Sequence, residues 1–353
     1  MGLTPGFWAG RRVLVTGHTG FKGSWLCLWL RELGAEVSGF ALAPPTEPSL
    51  FASARLAEEV DHREGDVRDA AAVAAAVRAA RPEVVVHMAA QPLVRASFDD
   101  PAGTYATNVM GTVHVLDAVR REPGDVRVVV NVTSDKCYEN REWLWGYRED
   151  EAMGGHDPYS SSKGCSELVT AAFRSSFFAD PDGVRLASAR AGNVIGGADW
   201  ATDRLVPDVM RAALAGESVI VRNPGSVRPW QHVLNPLSGY LALAERLWEE
   251  PEAAGGWNFG PPDEDAWPVG RVVERIAAAW PGLRYQPGGE VGPHEARFLR
   301  LDSSKARTLL GWRPRWSLET ALDATVEWHA REHAGEDARA LTLEQIRRFA
   351  AAG

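Results

Sequence analysis

Apolar residues in the first half of the chain form short continuous runs that alternate with longer runs at helical spacing. The short runs are at 13–15, 36–42, 83–90 and 126–132, and the last two consist largely of valine. Continuous apolar runs with β-branched residues are typical of strands buried on both faces of a sheet. Helical spacing is found at 24–33, 70–80, 104–121 and 159–175. This alternation predicts an α/β fold with a parallel sheet and right-handed crossovers.

A glycine-spaced turn, in the sequence VTGHTGFKG, joins the first predicted strand to the first predicted helix. Gly17 permits a tight turn, Gly20 lets the backbone approach a pyrophosphate, and Gly23 lets the helix pack closely on its strand. Free N–H groups and the dipole favour an anion at the start of such a helix. The turn predicts a dinucleotide-binding loop; the alternative is a glycine-rich turn that only tightens the connection. The other loop residues expected to contact the dinucleotide are Thr19, Phe21 and Lys22.

The pattern changes after about residue 190, where Gly, Pro, Trp and Asn concentrate at 192–203, 223–230 and 257–263. A helix over 233–248 is expected to return to the first lobe. The predicted architecture is therefore a Rossmann-like, doubly wound parallel sheet with a smaller, interleaved C-terminal substrate-binding lobe. The expected NAD-binding domain is 1–190 with a return segment at about 231–250. The expected substrate lobe is 191–230 with 251–330, and 331–353 forms a tail with a short helix over 341–352.

Composition and charge argue against several classes of function. A formal net charge of −9 without a block of Lys or Arg argues against nucleic-acid binding and against a membrane surface. The three cysteines lack CxxC spacing, which favours a reducing cytoplasm over a disulfide framework. No apolar run approaches the roughly 18 residues of a membrane helix. The histidines show no metal-binding spacing, so no metal is expected.

Two residues with catalytic chemistry lie four apart on the last of these helices. Tyr159 and Lys163 therefore share one helix face. The ammonium is expected to lower the tyrosine pKa from about 10, so that the phenolate can remove a hydroxyl proton as hydride leaves the same carbon. Ser134, at the end of the preceding strand, would hydrogen-bond the reacting oxygen. The alternative is a surface tyrosine beside a solvated lysine.

Eight stretches carry a resemblance to a known family. They are GHTGFKGSWL, HMAAQPLVR, TNVMGT, TSDKCYEN, WGYRED, DPYSSSKGCSELV, RAGNVIGGADW and RPWQHV. The chain resembles the extended short-chain dehydrogenase/reductase family of nucleotide-sugar enzymes, and within it the branch of CDP-glucose 4,6-dehydratases. The resemblance implies a hydro-lyase that oxidises C4 of the sugar, eliminates water across C5 and C6, and returns the hydride to C6.

The resemblance also implies acid and base residues. Asp135 would protonate the leaving C6 hydroxyl, and Lys136 would replace the glutamate that related dehydratases use as the C5 base. A lysine can accept a proton only when its pKa is lowered, here by burial or by Lys163. The alternative is that Lys136 only orients a phosphate or an acid.

NAD is the cofactor that the resemblance implies. Asp66 and Val67 would contact the adenine. The alternative for Asp66 is a structural role as a cap that precedes the next helix. The second strand offers neither an acidic residue for a ribose 2′-hydroxyl nor an arginine for a 2′-phosphate, so NAD over NADP rests on the family. The residues implied at the nicotinamide ribose and the adjoining loop are Ala89, Ala90, Gln91 and Asn108.

A sugar nucleotide, CDP-glucose or another NDP-hexose, is the implied substrate. Two arginines near its diphosphate make physical sense because guanidinium groups bind phosphate in a bidentate manner; each could also be a surface arginine. The implied substrate residues are Gln91, Asn193, Arg204, Leu205, Arg228 and Asn258. The family further implies a homodimer or homotetramer that pairs through a helix bundle containing the Tyr159 helix.

Two other functions remain open at this point. The same fold and the same Tyr159 and Lys163 would serve a sugar-nucleotide epimerase or a mutase, although the Asp135-Lys136 pair favours dehydration. A non-catalytic cofactor-binding protein is the third possibility, and the intact Ser134, Tyr159 and Lys163 argue against it.

Overall fold

A computed structural model describes residues 3–221, 223–288 and 298–352. The strands are β1 (Arg12–Thr16), β2 (Glu36–Ala41), β3 (Asp61–Glu64), β4 (Val84–His87), β5 (Val128–Val132), β6 (Arg185–Arg190), β7 (Val194–Ile195), β8 (Ser218–Val221), β9 (Val227–Pro229), β10 (Gln231–His232), β11 (Gly256–Asn258), β12 (Ala266–Pro268) and β13 (Arg284–Pro287). The helices are α1 (Phe21–Glu32), α2 (Leu50–Ser53), α3 (Ala70–Ala80), α4 (Val94–Asp99), α5 (Pro101–Tyr105), α6 (Gly111–Arg121), α7 (Pro158–Ser176), α8 (Leu205–Ala215), α9 (Leu234–Glu249), α10 (Val269–Ala279), α11 (Leu318–His333) and α12 (Ala338–Ala351).

Seven strands form the central sheet in the order β11-β6-β5-β4-β1-β2-β3. All of its pairings are parallel. The chain runs outward from β1 through β2 to β3 and then crosses back to β4 on the other side of β1. Ligands of doubly wound sheets bind in the crevice at the carboxyl ends of the strands where the order reverses. The predicted parallel Rossmann-like sheet is confirmed, and its crevice lies between β1 and β4.

Helices cover both faces of the sheet, as the continuous apolar strands predict. In β1, Val13 and Val15 belong to one buried cluster and Leu14 to another, because successive side chains of a strand point to opposite faces. The first cluster contains apolar residues of α1 and α9, and the second contains those of α3, α6 and the end of α7. The helix expected to return from the second lobe is thus α9, and it packs against β5 and β6.

A third buried cluster lies apart from the sheet. Its members include Ile195, Val206, Val209, Met210, Trp230, Val272, Ile276 and Leu322. This separate core supports the predicted smaller lobe. One part of that prediction differs from the structure, because Gly256–Asn258 is the edge strand of the central sheet and not part of the smaller core. Three residues are too few to show a strand pattern in the sequence.

The helix predicted over 104–121 is longer and interrupted. It begins at α5, where the Asp100 carboxylate accepts a hydrogen bond from the Gly103 N–H and Pro101 occupies the first turn. A π-helical turn, Ala106–Met110, then separates α5 from α6. Such turns are frequent at functional sites because they displace one side chain from the helical register. Here the buried Asn108 lies within the π turn.

The C-terminal prediction was partly wrong. The stretch expected to be a polar tail contains the end of α11 and the start of α12, which the Asp337 side chain caps by accepting from the Ala340 N–H. The last helix, α12, packs against α1 and α11 of the same chain. The Arg347 guanidinium binds the Glu32 carboxylate of α1 at 2.7 and 3.1 Å. Charged residues on the exposed face of each helix obscured the two helices in the sequence.

Candidate active site

The glycine loop connects β1 to α1 at the crevice. Gly17 has a φ of +75°, and a Cβ there would lie 2.7 Å from the Ala89 nitrogen. A Cβ on Gly23 would lie 2.2 Å from the Gly17 carbonyl oxygen. Packing within the protein therefore requires both glycines, as predicted. Gly20 is different, since the nearest atom to a Cβ there is 3.5 Å away. Its missing side chain leaves space above the start of α1.

Gly20 is the N-cap residue of α1 and has no side chain to cap the first N–H groups. This end of α1 therefore offers N–H donors and the positive end of a dipole to an anion. Thr19 Oγ1 donates to the Leu42 carbonyl at 2.9 Å, which ties the loop to the end of β2. Phe21 packs partly against the first core cluster.

Lys22, in the first turn of α1, turns towards α9. Its Nζ donates to the Tyr240 hydroxyl at 2.9 Å. Burial, together with the charges of Lys163 and Arg204, lowers the Lys22 pKa to about 7, and Asp135 opposes this shift. Lys22 therefore shares a site with predicted catalytic and substrate-binding residues.

The loop after β4 is held by Asn108. The Asn108 amide accepts from the Gln91 N–H at 2.8 Å and donates to the Gln91 carbonyl at 3.0 Å and to Ser162 Oγ at 2.9 Å. Ala89 and Ala90 precede this anchor and are partly exposed beside the glycine loop. The Gln91 side chain bonds to the Leu93 backbone within the loop and to the Thr104 hydroxyl on α5.

The predicted adenine pair lies beyond β3. The Asp66 carboxylate binds Arg68, which lowers the Asp66 pKa, and also accepts from the Arg68 N–H. Asp69, and not Asp66, caps α3. Val67 is buried, and a Cβ on Gly111 would lie 2.8 Å from its Cγ2. Asp66 is thus already paired with Arg68.

Three predicted catalytic residues occupy one 3₁₀ turn directly after β5. Ser134 Oγ donates to the Asp135 carboxylate at 3.0 Å and accepts from the Lys136 N–H at 3.2 Å. Burial raises the pKa of the Asp135 carboxyl, although Lys136 and Ser134 oppose this. A raised pKa favours the protonated form of the carboxyl group, which is the form that can protonate a leaving group. Lys136 is half-buried, with its Nζ 6.0 Å from the centre of the Tyr159 ring.

Tyr159 and Lys163 lie on α7, which Asp157 caps and Pro158 begins. Both are buried. The expectation of a lowered tyrosine pKa is not met in the protein alone, since burial raises the Tyr159 pKa to about 12 against the effect of Ser134. Burial also lowers the Lys163 pKa to about 8, and Glu167 opposes this. Loss of solvent outweighs the neighbouring charges in both cases.

The predicted substrate arginines approach this centre. Arg204, just before α8, lies 3.4 Å from the Asp199 carboxylate, and its charge lowers the pKa values of Lys22 and Tyr159. Leu205 is the first residue of α8 and packs partly against the third cluster. The charge of Arg228, on β9, lowers the Asp135 pKa. The two arginines thus face the reacting residues.

Two predicted substrate residues differ in placement. Asn193 is partly exposed beside β7, and its carbonyl accepts from the Gln231 N–H at 3.0 Å. Asn258 is fully buried, and its amide bonds to the Tyr138 hydroxyl, the Tyr147 carbonyl and the Asp302 carbonyl. The Asn258 side chain therefore ties β11 to two loops and presents no surface to a ligand.

Tyr240 is a site residue that the sequence reasoning missed. It lies on α9, is 1% exposed, and has its pKa raised by burial and by the charges of Asp135 and Tyr159. Its apolar helical context gave no sign of a role outside the core.

Three further findings concern the part of the chain that the structure describes. There, no group of three or more His, Cys, Asp or Glu side chains is placed to hold a metal ion. None of the helices described has the length and apolar character needed to cross a membrane. The three cysteines are free thiols.

A model of the NAD dependent epimerase/dehydratase family matches residues 13–254. The chain belongs to this family, and its cofactor is NAD. The structure fits that cofactor: the space above Gly20 and the uncapped start of α1 suit a pyrophosphate.

Individual relatives agree with the family. The chain is 55% identical over 341 residues to a CDP-glucose 4,6-dehydratase of Salmonella typhimurium, and the match covers 95% of each chain. It is 30% identical to a dTDP-glucose 4,6-dehydratase of Streptomyces griseus, over 90% of this chain and 93% of the other. Among solved structures, the UDP-glucose 4-epimerase of Thermus thermophilus in complex with NAD has a TM-score of 0.75 at 25% identity, covering 91% of this chain and 99% of the other. The protein is an NAD-dependent sugar-nucleotide 4,6-dehydratase.

Proposed function

We propose that this dehydratase converts CDP-glucose to CDP-4-keto-6-deoxyglucose and water. The identity of 55% over 95% of the chain to a CDP-glucose 4,6-dehydratase carries the choice of substrate. The Asp135-Lys136 pair directly after Ser134 supports dehydration, because an epimerase needs no acid for a leaving hydroxyl.

Tyr159 takes the proton of the C4 hydroxyl in the first step, and Ser134 hydrogen-bonds that oxygen. NAD⁺, when bound, accepts the C4 hydride and later returns it to C6. The high pKa of Tyr159 means that its phenolate needs a nearby positive charge, and Lys163 on the same helix face supplies one.

The C4 ketone acidifies the C5 proton and so permits elimination. Asp135 donates its proton to the C6 hydroxyl, which leaves as water, while a base removes the proton from C5. Lys136, with its amine unprotonated, is the proposed base, because it directly follows Asp135 and its Nζ lies 6.0 Å from the centre of the Tyr159 ring. The C5 position regains a proton when hydride arrives at C6, so the sugar is not oxidised overall. If Lys136 only orients the substrate, another group must take the C5 proton.

The same geometry supports a proposed site for each of the two ligands. The proposed pyrophosphate site is the glycine loop with the start of α1, and Val67 would border the adenine. Ala89, Ala90 and Gln91, held by Asn108, would border the nicotinamide ribose. Arg204 and Arg228 would bind the substrate diphosphate.

The test is incubation of the purified protein with CDP-glucose and NAD⁺ in deuterated water, followed by mass spectrometry. The expected product has lost water and carries one deuterium at C5. The Tyr159→Phe variant is the control, and it should bind NAD⁺ without turnover. An unchanged mass with CDP-glucose, together with water loss from dTDP- or UDP-glucose, would reject cytosine as the nucleotide base of the substrate. The dehydration reaction itself would still stand. Inversion at C4 without water loss would reject dehydration in favour of epimerisation.

We also propose a homodimer or homotetramer that pairs through α7 and its neighbours. Phe98, Tyr105, Met110 and Leu168 are between 37% and 60% exposed on α4, α5, the π turn and α7. Large apolar side chains grouped on adjoining helices are characteristic of protein interfaces. Sedimentation of the wild type and of Leu168→Glu tests this, and an unchanged oligomer would reject it. A cytoplasmic location remains a prediction from cysteine usage.

A further inference from the structure

A buried hydrogen-bond network lies directly behind the reacting residues. Its centre is Glu167, which lies on α7 one turn after Lys163 and two turns after Tyr159. The Glu167 carboxylate accepts from Thr133 Oγ1 at 2.5 Å, Ser188 Oγ at 2.6 Å and the Arg190 guanidinium at 2.8 Å. The side chains of Glu167 and Arg190 are 4% and 5% exposed. A buried carboxylate with three donors is held in one orientation.

Each donor belongs to an element that shapes the site. Thr133 directly precedes Ser134 at the end of β5, while Ser188 and Arg190 lie on β6. The Arg190 guanidinium extends the network to the Tyr138 hydroxyl at 2.6 Å and the Glu149 carbonyl at 3.0 Å. The carboxylate therefore connects α7, which carries Tyr159 and Lys163, to the strand end that carries Ser134.

Glu167 also favours the protonated form of Lys163. Burial lowers the Lys163 pKa to about 8, and Glu167 is the strongest influence in the opposite direction. The other groups that interact electrostatically with Lys163 are the Cys137 thiol from the turn after β5, Lys22 from α1 and His87 from β4. Lys22 repels the Lys163 ammonium, so Glu167 is the neighbouring anion that favours it.

We propose that Glu167 is a positioning residue for C4 oxidation, which keeps Lys163 charged and fixes Ser134 relative to Tyr159. This inference rests on the roles assigned to Ser134, Tyr159 and Lys163 above. The Glu167 side chain is 4% exposed and its carboxylate is bonded to protein groups, so its role is indirect. It acts through Lys163 on one side and through Thr133 on the other.

The first test removes the charge. The rate of C4 oxidation by the full-length Glu167→Gln variant is measured in single turnovers over a range of pH, with CDP-glucose and NAD⁺. The wild-type rate should fall at alkaline pH as Lys163 loses its proton. This fall should begin about one pH unit lower in the variant, because an opposite charge at close range contributes a pKa shift of at least that size. An unchanged pH profile in a folded variant would overturn the charge role.

The second test keeps the negative charge of Glu167 but removes hydrogen bonds that hold its carboxylate in place. It tests the positioning role even if Glu167→Gln does not fold. The Thr133→Val and Ser188→Ala substitutions together remove two of the three donors. The kcat should fall about tenfold, with the KM for CDP-glucose unchanged. A kcat equal to that of the wild type would overturn the positioning role. If Tyr159→Phe keeps full activity, the proposed catalytic residues are wrong; if only the Glu167 results fail, the inference alone is wrong.

Discussion

The Lys22 Nζ lies 2.9 Å from the Tyr240 hydroxyl, although the two residues are 218 positions apart in the chain. The contact joins the first turn of α1 to α9 across the site. Tyr240 in turn lies close enough to Asp135 and Tyr159 for their charges to raise its pKa. The cofactor loop, the return helix and the reacting residues are therefore electrostatically coupled.

Replacing Lys22 should reveal the energetic cost of its buried charge. Its pKa is 10.5 ordinarily and about 7 in the fold, so between these values the unfolded chain binds more protons and stability rises with pH. Below about pH 7 the full cost of the buried ammonium applies. Lys22→Met should therefore raise the melting temperature of the cofactor-free protein by about 2–4 °C at about pH 6, and by less at about pH 9.5.

Thermal unfolding at the two pH values measures this effect. Arg63→Met, which removes an exposed cation, is the matched control and should give no pH-dependent gain. An equal gain for Lys22→Met at both pH values would contradict the assignment of the buried charge.

Alanine substitutions at two glycines of the cofactor loop should distinguish an effect on NAD⁺ binding from an effect on folding. Gly20→Ala meets no atom closer than 3.5 Å, so the melting temperature of the cofactor-free protein should not change. The added methyl group would occupy the space proposed for the pyrophosphate, and the Kd for NAD⁺ should rise at least about tenfold. Titration calorimetry measures the affinity.

Gly17→Ala is the contrasting variant. Its positive φ and the 2.7 Å approach to the Ala89 nitrogen predict lost stability as well as lost binding. Unchanged NAD⁺ affinity in Gly20→Ala would place the pyrophosphate elsewhere.

Asn108→Ala should disturb the loop after β4 without touching the reacting residues. The substitution removes both bonds to the Gln91 backbone, and the loop can then shift relative to the glycine loop. A misplacement of about 1 Å can cost up to about a hundredfold in rate. We expect a lower kcat and a higher KM for NAD⁺ in steady-state assays. Thr104→Val, which removes one bond to the Gln91 side chain and one to the Asp100 carbonyl but leaves the Gln91 backbone held, should have a much smaller effect. Equal effects would argue against the backbone anchor.

The Asp135→Asn variant should carry out C4 oxidation but be slow in the elimination step that follows. The amide cannot protonate the C6 hydroxyl, so elimination should slow by about a hundredfold or more while C4 oxidation continues. Reduced nicotinamide should then accumulate on the enzyme, which its near-ultraviolet absorbance reports. Asp199→Asn, a buried carboxylate paired with Arg204, should alter the KM without such accumulation. If Asp135→Asn turns over without accumulation, another group is the acid.

Much of the sheet was predictable because its signals are local. Valine runs identify β4 and β5, and Asp69 marks the start of α3 a few residues after the end of β3. The π turn around Asn108 has no such signal, since its period differs from that of an α-helix over only five residues. Long-range contacts, such as that of Lys22 with Tyr240, leave no local pattern at all.

The pKa values of Tyr159 and Lys163 could not be predicted from the sequence either. The spacing of Tyr159 and Lys163 revealed that the two share a face, but spacing does not reveal how little water reaches them. Burial raises the pKa of one and lowers that of the other. The sign of the Tyr159 shift was therefore mispredicted, although the residues were found.

The position of β11 has a consequence for synthesis of the chain on the ribosome. β6 ends at Arg190, and the strand that covers its outer edge begins only at Gly256. Until that segment emerges, the nascent sheet exposes an unpaired edge, and open edges recruit strands from other chains. A truncated protein that ends before Gly256 should therefore aggregate, even though it contains all the proposed catalytic residues.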